Sequence, residues 1–154
     1  MHVFDLIENK KVRFKVGPIT KRELKKLEHF EFEWVKEFGF EVFKLELTRT
    51  KEVLGLLSID RSFEELRTEI RLLEISKPNI GKLKRYDRIA GILIAFACKE
   101  SFISGFYGFV SLIPKTSLID HYIYKYGFKQ FGRHLAVELE ISENLMNKYL
   151  LDEK

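Results

Sequence analysis

The sequence predicts an α/β fold: a single mixed, mostly antiparallel sheet with a central parallel pair, and helices on both faces. Three observations predict it. Segments of strand period and helix period follow one another in the order β, α, β, β, β, α, β, α, β, β, with a closing helix. A segment that is apolar almost all round, Tyr86–Ser104, lies between two apolar strands, as the crossover of a right-handed βαβ unit does. The 154 residues are 45% apolar and 32% charged with only three prolines, which suits one domain over 1–154 with a real core and no linker.

Each element has a local reason. In Lys11–Val16 the apolar Val12, Phe14 and Val16 alternate with Lys11, Arg13 and Lys15, the pattern of a half-buried strand. Thr20, with Glu23 three residues on, forms a capping box that opens a helix. Leu24, Leu27, Phe30, Trp34 and Phe38 then recur at helical spacing, predicting a helix over Lys21–Phe38 stopped by Gly39. Val42–Thr48 and Glu52–Ile59 read as a hairpin across Arg49-Thr50-Lys51, with Gly55 marking a bulge or a close backbone approach. Asp60–Leu66 is a polar connection. In the central strand, Thr68–Ser76, the alternation changes phase at Leu72-Leu73; this fits a β-bulge or a strand end buried on both faces. Phe109–Ile113 is the parallel partner. Ser117–Tyr126 is a second helix, Lys129–Phe131 and Leu135–Leu139 are strands, and Asn144–Leu151 is the closing helix.

Composition excludes several classes. One cysteine, Cys98, allows no internal disulfide, and its apolar helical neighbours mark an inert core thiol. The four histidines show no metal-ligand spacing, so no metal is expected. There is no Gly-x-Ser-x-Gly, P-loop or Gly-x-Gly-x-x-Gly. The net charge of +4 permits an anionic ligand without arguing for nucleic acid. An aromatic run, Gly105–Leu112, faintly resembles an RNA-recognition strand but lacks its leading base and final aromatic. The N-terminal segment has no signal-length apolar run, and Ile89–Cys98 is about half a membrane span, so the expectation is a soluble, cytoplasmic protein without a membrane partner.

The chemistry concentrates between the central strand and the apolar helix. The basic loop Lys77–Arg85, with Lys77, Lys82, Lys84 and Arg85, and Arg88 just beyond it crowd the helix N-terminus, where outward backbone N–H groups and the helix dipole favour a phosphate. Asp87 acts against this, because a carboxylate in the first turn can cap the helix itself.

This order, the run Arg85-Tyr86-Asp87-Arg88-Ile89-Ala90 and the run Tyr122-Ile123-Tyr124-Lys125-Tyr126-Gly127-Phe128 resemble the GCN5-related N-acetyltransferase (GNAT) family over about Val42–Leu139. In that family the first run is Arg/Gln-x-x-Gly-x-Gly/Ala; here Arg88 stands at the first glycine. The resemblance implies a pair of splayed central strands and acetyl-CoA as co-substrate. Its pyrophosphate would be held by Lys82, Arg85, Tyr86, Asp87, Arg88, Ile89 and Ala90, and its arm by the backbone of Leu73 and Ile75. It implies acetyl transfer to a primary amine by direct attack, the acceptor being a small molecule or peptide. The family tyrosine lies four residues before the glycine, at Ile123 here, so Tyr122 and then Tyr124 are the candidate thiolate acids. Glu74 is the candidate base, set against the alternative of a salt-bridged or solvent-facing glutamate. An inactive CoA-binding or interaction domain on the same fold, and a homodimer, are the other expectations.

Overall fold

A computed structural model describes residues 2–114 and 119–151. Among the described residues one nine-stranded sheet runs in the order β6 (Tyr86–Asp87), β1 (His2–Asp5), β2 (Lys10–Pro18), β3 (Glu41–Leu47), β4 (Val53–Ser62), β5 (Arg67–Ile75), β7 (Val110–Leu112), β9 (His134–Val137), β8 (Lys129–Phe131). The central strands are β3 (Glu41–Leu47), β4 (Val53–Ser62), β5 (Arg67–Ile75) and β7 (Val110–Leu112). Only β5 and β7 are parallel; the other paired strands are antiparallel. The crossover between them is α2 (Ile89–Ile103), which packs its apolar circumference against one face of the sheet. Helices α3 (Ile119–Tyr126) and α4 (Leu139–Tyr149) lie on that face too, α4 against α2. Helix α1 (Lys21–Lys25) and Trp34 cover the other face over Val42 and Leu56.

The phase change in β5 is a bulge. Ser58 faces Leu72 and Ile59 faces Ile70, so Arg71 is the extra residue, just ahead of the position the alternation marks. Ile70 and Leu73 therefore both face α2, whereas Leu72 packs toward α1. Gly55 serves both purposes expected of it. The register shifts beside it, and a Cβ there would meet Ile89 at 2.8 Å and Leu93 at 2.9 Å.

Four parts of the chain depart from the sequence reading. The helix expected over Lys21–Phe38 ends at Lys25, and a 3-10 turn, Trp34–Gly39, replaces its second half. The cause is long-range: the Glu74 carboxylate takes the Glu31 and Phe32 N–H groups, which a helix would spend internally. The first residues form a strand, β1 (His2–Asp5), between β2 (Lys10–Pro18) and the two-residue β6 (Tyr86–Asp87). Tyr86 and Asp87 thus belong to the sheet, and α2 begins at Ile89 instead of Tyr86. Helix α4 starts at Leu139, so β9 (His134–Val137) and β8 (Lys129–Phe131) end the sheet before it. The expected beginning of α3 at Ser117 lies outside the described residues.

Candidate functional site

The parallel pairing of β5 with β7 covers only Thr68–Val110, Glu69–Ser111 and Ile70–Leu112. Beyond the bulge, Arg71–Ile75 continue with no strand on that side among the described residues, so the sheet opens there. A cavity of about 430 Å³ adjoins this opening, lined by Ile75, the 79–81 loop and Lys84, the 86–91 segment, the end of α3 and the end of α4.

The loop that enters α2 is built by contacts from distant parts of the chain. Asn79, buried, accepts the Tyr86 N–H at 3.0 Å and donates to Ser76 at 2.8 Å. Asp5, also buried, receives the Arg85 guanidinium at 3.0 Å together with the Ile7 and Glu8 N–H groups. Burial by itself would raise the Asp5 pKa, but Arg85 and those two N–H groups outweigh it and bring the carboxyl below its usual range. A carboxyl whose folded-state pKa lies below the unfolded value stabilises fully above that unfolded value, 3.8, and fades as pH falls through the folded one. The Asp5→Asn protein is therefore expected to melt below the unaltered chain at pH 7, and the two melting temperatures should converge as pH falls below 3.8 and through the lowered folded-state pKa. A gap that persisted there would mean the carboxylate charge is not what holds β1 to the loop.

Arg88, where the family motif carries glycine, is at φ +80°, a left-handed conformation that glycine adopts without steric cost. Its side chain turns to α4, donating to the Lys148 carbonyl at 2.7 Å with the guanidinium 5.0 Å from the Tyr149 ring. Its Nε is buried with no acceptor among the described residues. Asp87 pairs with Lys84 at 2.9 Å and accepts the Arg88 N–H at 2.9 Å. Burial opposes its ionisation, but Lys84, that N–H and more distant Lys125 lower its pKa overall. The first helical bond is Ile92 N–H to Arg88 O, so the N–H groups of Ile89, Ala90 and Gly91 precede it and line the cavity. Lys84, Arg88, Lys125 and Lys148 surround them, so the cavity is lined by four cations and one carboxylate, Asp87, an arrangement whose charge favours an anion.

The structure separates the candidate residues. Ile75, Tyr86, Asp87, Arg88, Ile89 and Ala90 line the cavity. Leu73 packs against the core on the same face. Lys82 is exposed on the loop tip, and Arg85 is turned to Asp5, both outside the lining. Glu74 faces the opposite side of the sheet, where it accepts from Glu31 N at 2.7 Å, Phe32 N at 3.2 Å and Trp34 Nε1 at 2.7 Å. That is a structural anchor, neither the free base nor the salt-bridged or solvent-facing glutamate of the sequence reading. Tyr124 is 87% exposed, and Tyr122 packs behind the wall against Phe128 and Tyr126. Tyr126 is the α3 tyrosine in the wall itself, 4% exposed, its pKa driven up first by burial and then by Tyr149, Tyr122 and Asp87. Sequence reasoning missed it although a signal was there: Ile123 and Tyr126 are three apart and share a helix face. It also missed Lys148 and Tyr149, whose helix reaches the cavity only through tertiary packing. Tyr149 sits over Gly91, where an added Cβ would lie 2.3 Å from its ring.

Among the described residues no group of His, Cys, Asp and Glu could hold a metal ion, and no helix is long and apolar enough to cross a membrane. Cys98 is buried in α2, and desolvation pushes its thiol up to about 12.

No family model and no curated protein matches the sequence. Solved structures do match by fold. The chain is similar to IAA acetyltransferase from Bacillus cereus ATCC 14579, with TM-score 0.62 and 14% identity over 82% of this chain and 100% of that one. It is similar to AtaTR bound with AcCoA, with TM-score 0.59 and 12% identity over 86% of this chain and 98% of that one. AtaT complexed with acetyl-methionyl-tRNAfMet matches at TM-score 0.59 and 11% identity, over 87% and 99% of the two chains. What the chain shares with these structures is the fold, a mixed sheet with helices of the acyl-CoA N-acyltransferase kind.

Proposed function

We propose that this chain, built on the acyl-CoA N-acyltransferase fold, binds acetyl-CoA in the cavity at the start of α2 and transfers its acetyl group to a primary amine. The observation that carries the reading is the conjunction of unspent N–H groups at Ile89–Gly91, a ring of cations and an unpaired β5 edge around one cavity. The residues fit the cofactor. The amides with Lys84, Arg88, Lys125 and Lys148 suit a pyrophosphate, and the orphaned Arg88 Nε is one donor short of an acceptor. The open edge from Arg71 to Ile75 offers backbone groups to an extended arm. The bound thioester supplies the activated acetyl group. The chain's own contribution is to hold that group beside the amine, which replaces a bimolecular encounter, and to return a proton to the departing sulfur. Tyr126 is proposed as that acid: its raised pKa keeps the hydroxyl protonated at neutral pH. Tyr122, the first choice on sequence, buttresses it. The acceptor is an amine on a small molecule or peptide, attacked directly with no covalent enzyme intermediate, and a homodimer is compatible with this reading. A CoA-binding domain without activity shares the first half of it.

Acetyl-CoA at 100 times its Kd is expected to stabilise the protein by about 2.7 kcal/mol, raising the melting temperature by roughly 5–10 °C. Tyr126→Phe should keep that shift and lower turnover by about 10²-fold or more. No shift with millimolar acetyl-CoA would overturn the whole reading. A shift without turnover on any amine would leave the binding domain alone. Full turnover in Tyr126→Phe but not in Tyr122→Phe would return the acid to Tyr122.

A further inference from the structure

On the face of the sheet away from α2, α1 and the segment that follows it enclose a hollow of about 420 Å³. Its walls are Leu24, Leu27, Phe30, Phe32, Trp34 and Val35, closed at the rim by the ion pair of Glu33 and Lys36. This hollow is a consequence of the broken helix. Had Lys21–Phe38 stayed helical, Leu27, Phe30 and Trp34 would have formed a continuous stripe on the sheet; instead the chain loops outward.

Two observations connect the hollow to the proposed chemistry. Its floor residue, Trp34, is tied by its indole N–H to Glu74, and the next residue of β5, Ile75, lines the cofactor cavity on the other face. The hollow therefore lies at the strand end where β5 has lost its parallel partner. The chain around it is also acidic: Glu28, Glu31 and Glu33 fall within seven residues that include no Lys or Arg. Glu31 and Glu33 are met by Lys77 and Lys36 only through exposed ion pairs, which are weak enough for an incoming ammonium to share.

We propose that this hollow is the acceptor site and that the acceptor is an amphipathic primary amine: an apolar, aryl or branched alkyl body carrying one amino group. This rests on the acetyltransferase reading and deepens it. The aromatic and aliphatic walls gain from burying an apolar body. The carboxylates at the rim draw the charged amine to the mouth, where it passes one proton to solvent water before attack. The nitrogen lone pair then forms the amide C–N bond as the thioester C–S bond breaks, one proton leaves the nitrogen, and the sulfur takes one up. A polyamine would have to strip several ammonium groups of water against Phe30 and Leu27. A sugar would leave hydroxyls unpaired on the same walls.

Trp34 is the only tryptophan, so its emission reports occupancy of the hollow without acetyl-CoA. Phenethylamine and isoamylamine are expected to give a saturable change, with spermidine and glucosamine at least tenfold weaker. Leu27→Gln should weaken phenethylamine at least tenfold. Val35→Gln, at a position 54% exposed and so harmless to folding, should weaken it by a smaller factor. In acetyl transfer, kcat/KM for phenethylamine should exceed that for spermidine by the same order. No emission change with the apolar amines, a stronger response to spermidine, or indifference to both substitutions overturns the assignment. If acetyl-CoA still raises the melting temperature in that case, the acetyltransferase reading survives; if it does not, both fall.

Discussion

Glu74→Ala is expected to cost about 3 kcal/mol, a fall in melting temperature of roughly 6–12 °C, because it removes the acceptor of three donors at once. The Trp34 indole N–H is buried and has no second acceptor among the described residues, so its loss carries the full penalty of an unmet donor, whereas the Glu31 and Phe32 N–H groups can recover water. Segment 28–34 should loosen from the sheet and the Trp34 emission should move to the red. Glu74→Gln keeps one carbonyl acceptor and is expected to fall between the two. A melting temperature within a degree or two of the unaltered protein would show that the loop is held by its aromatic contacts and not by this carboxylate.

Gly91→Ala places a methyl group into the Tyr149 ring, since the nearest ring atom lies 2.3 Å from the added Cβ. Overpacking of this kind costs about 1–3 kcal/mol, against which alanine returns nearly 1 kcal/mol of helix propensity. The larger consequence is for the site, because the end of α4 must lift and carry Lys148 and Tyr149 away from the cavity. Acetyl-CoA affinity is expected to fall at least tenfold. In the Tyr149→Ala background the same change should be neutral or stabilising. The coupling between the two positions, measured from melting curves as a double-mutant cycle, should then exceed 1 kcal/mol. Additive effects would mean that the two side chains do not share the space the structure gives them.

Much of this fold is legible in the chain because it rests on local pattern. The run Ile89–Cys98 can only be a buried helix between strands, and the broken alternation of β5 marks the bulge that opens the sheet. The anion loop is legible as chemistry, yet its construction is not. Arg85 turned away to Asp5 and Tyr86 drawn into the sheet both involve β1, a strand of four residues whose second partner, β6, lies some eighty residues downstream. No window on the sequence contains that pairing. The same holds for the helix over Lys21–Phe38. Its helical spacing is genuine, but Phe30, Phe32 and Trp34 also alternate in steps of two, and the choice between the patterns is made by Glu74 some forty residues away. Tyr122 and Tyr126 are one turn apart, and only the position of α4 decides which ring faces the cavity and which the core.

The cavity at the start of α2 is assembled from segments far apart in the chain. Asp5 fixes the entrance of α2 from one side, while the carbonyl of Lys148 and the ring of Tyr149 fix it from the other. A nascent chain emerging from the ribosome can fold its sheet around α2 long before α4 has been synthesised, but until then the guanidinium of Arg88 has no tether and the cleft no far wall. Closure of the cavity would thus wait on α4, and a proteolytic cut near position 139 would open it and bare the side of α2 that Leu145 and Tyr149 cover.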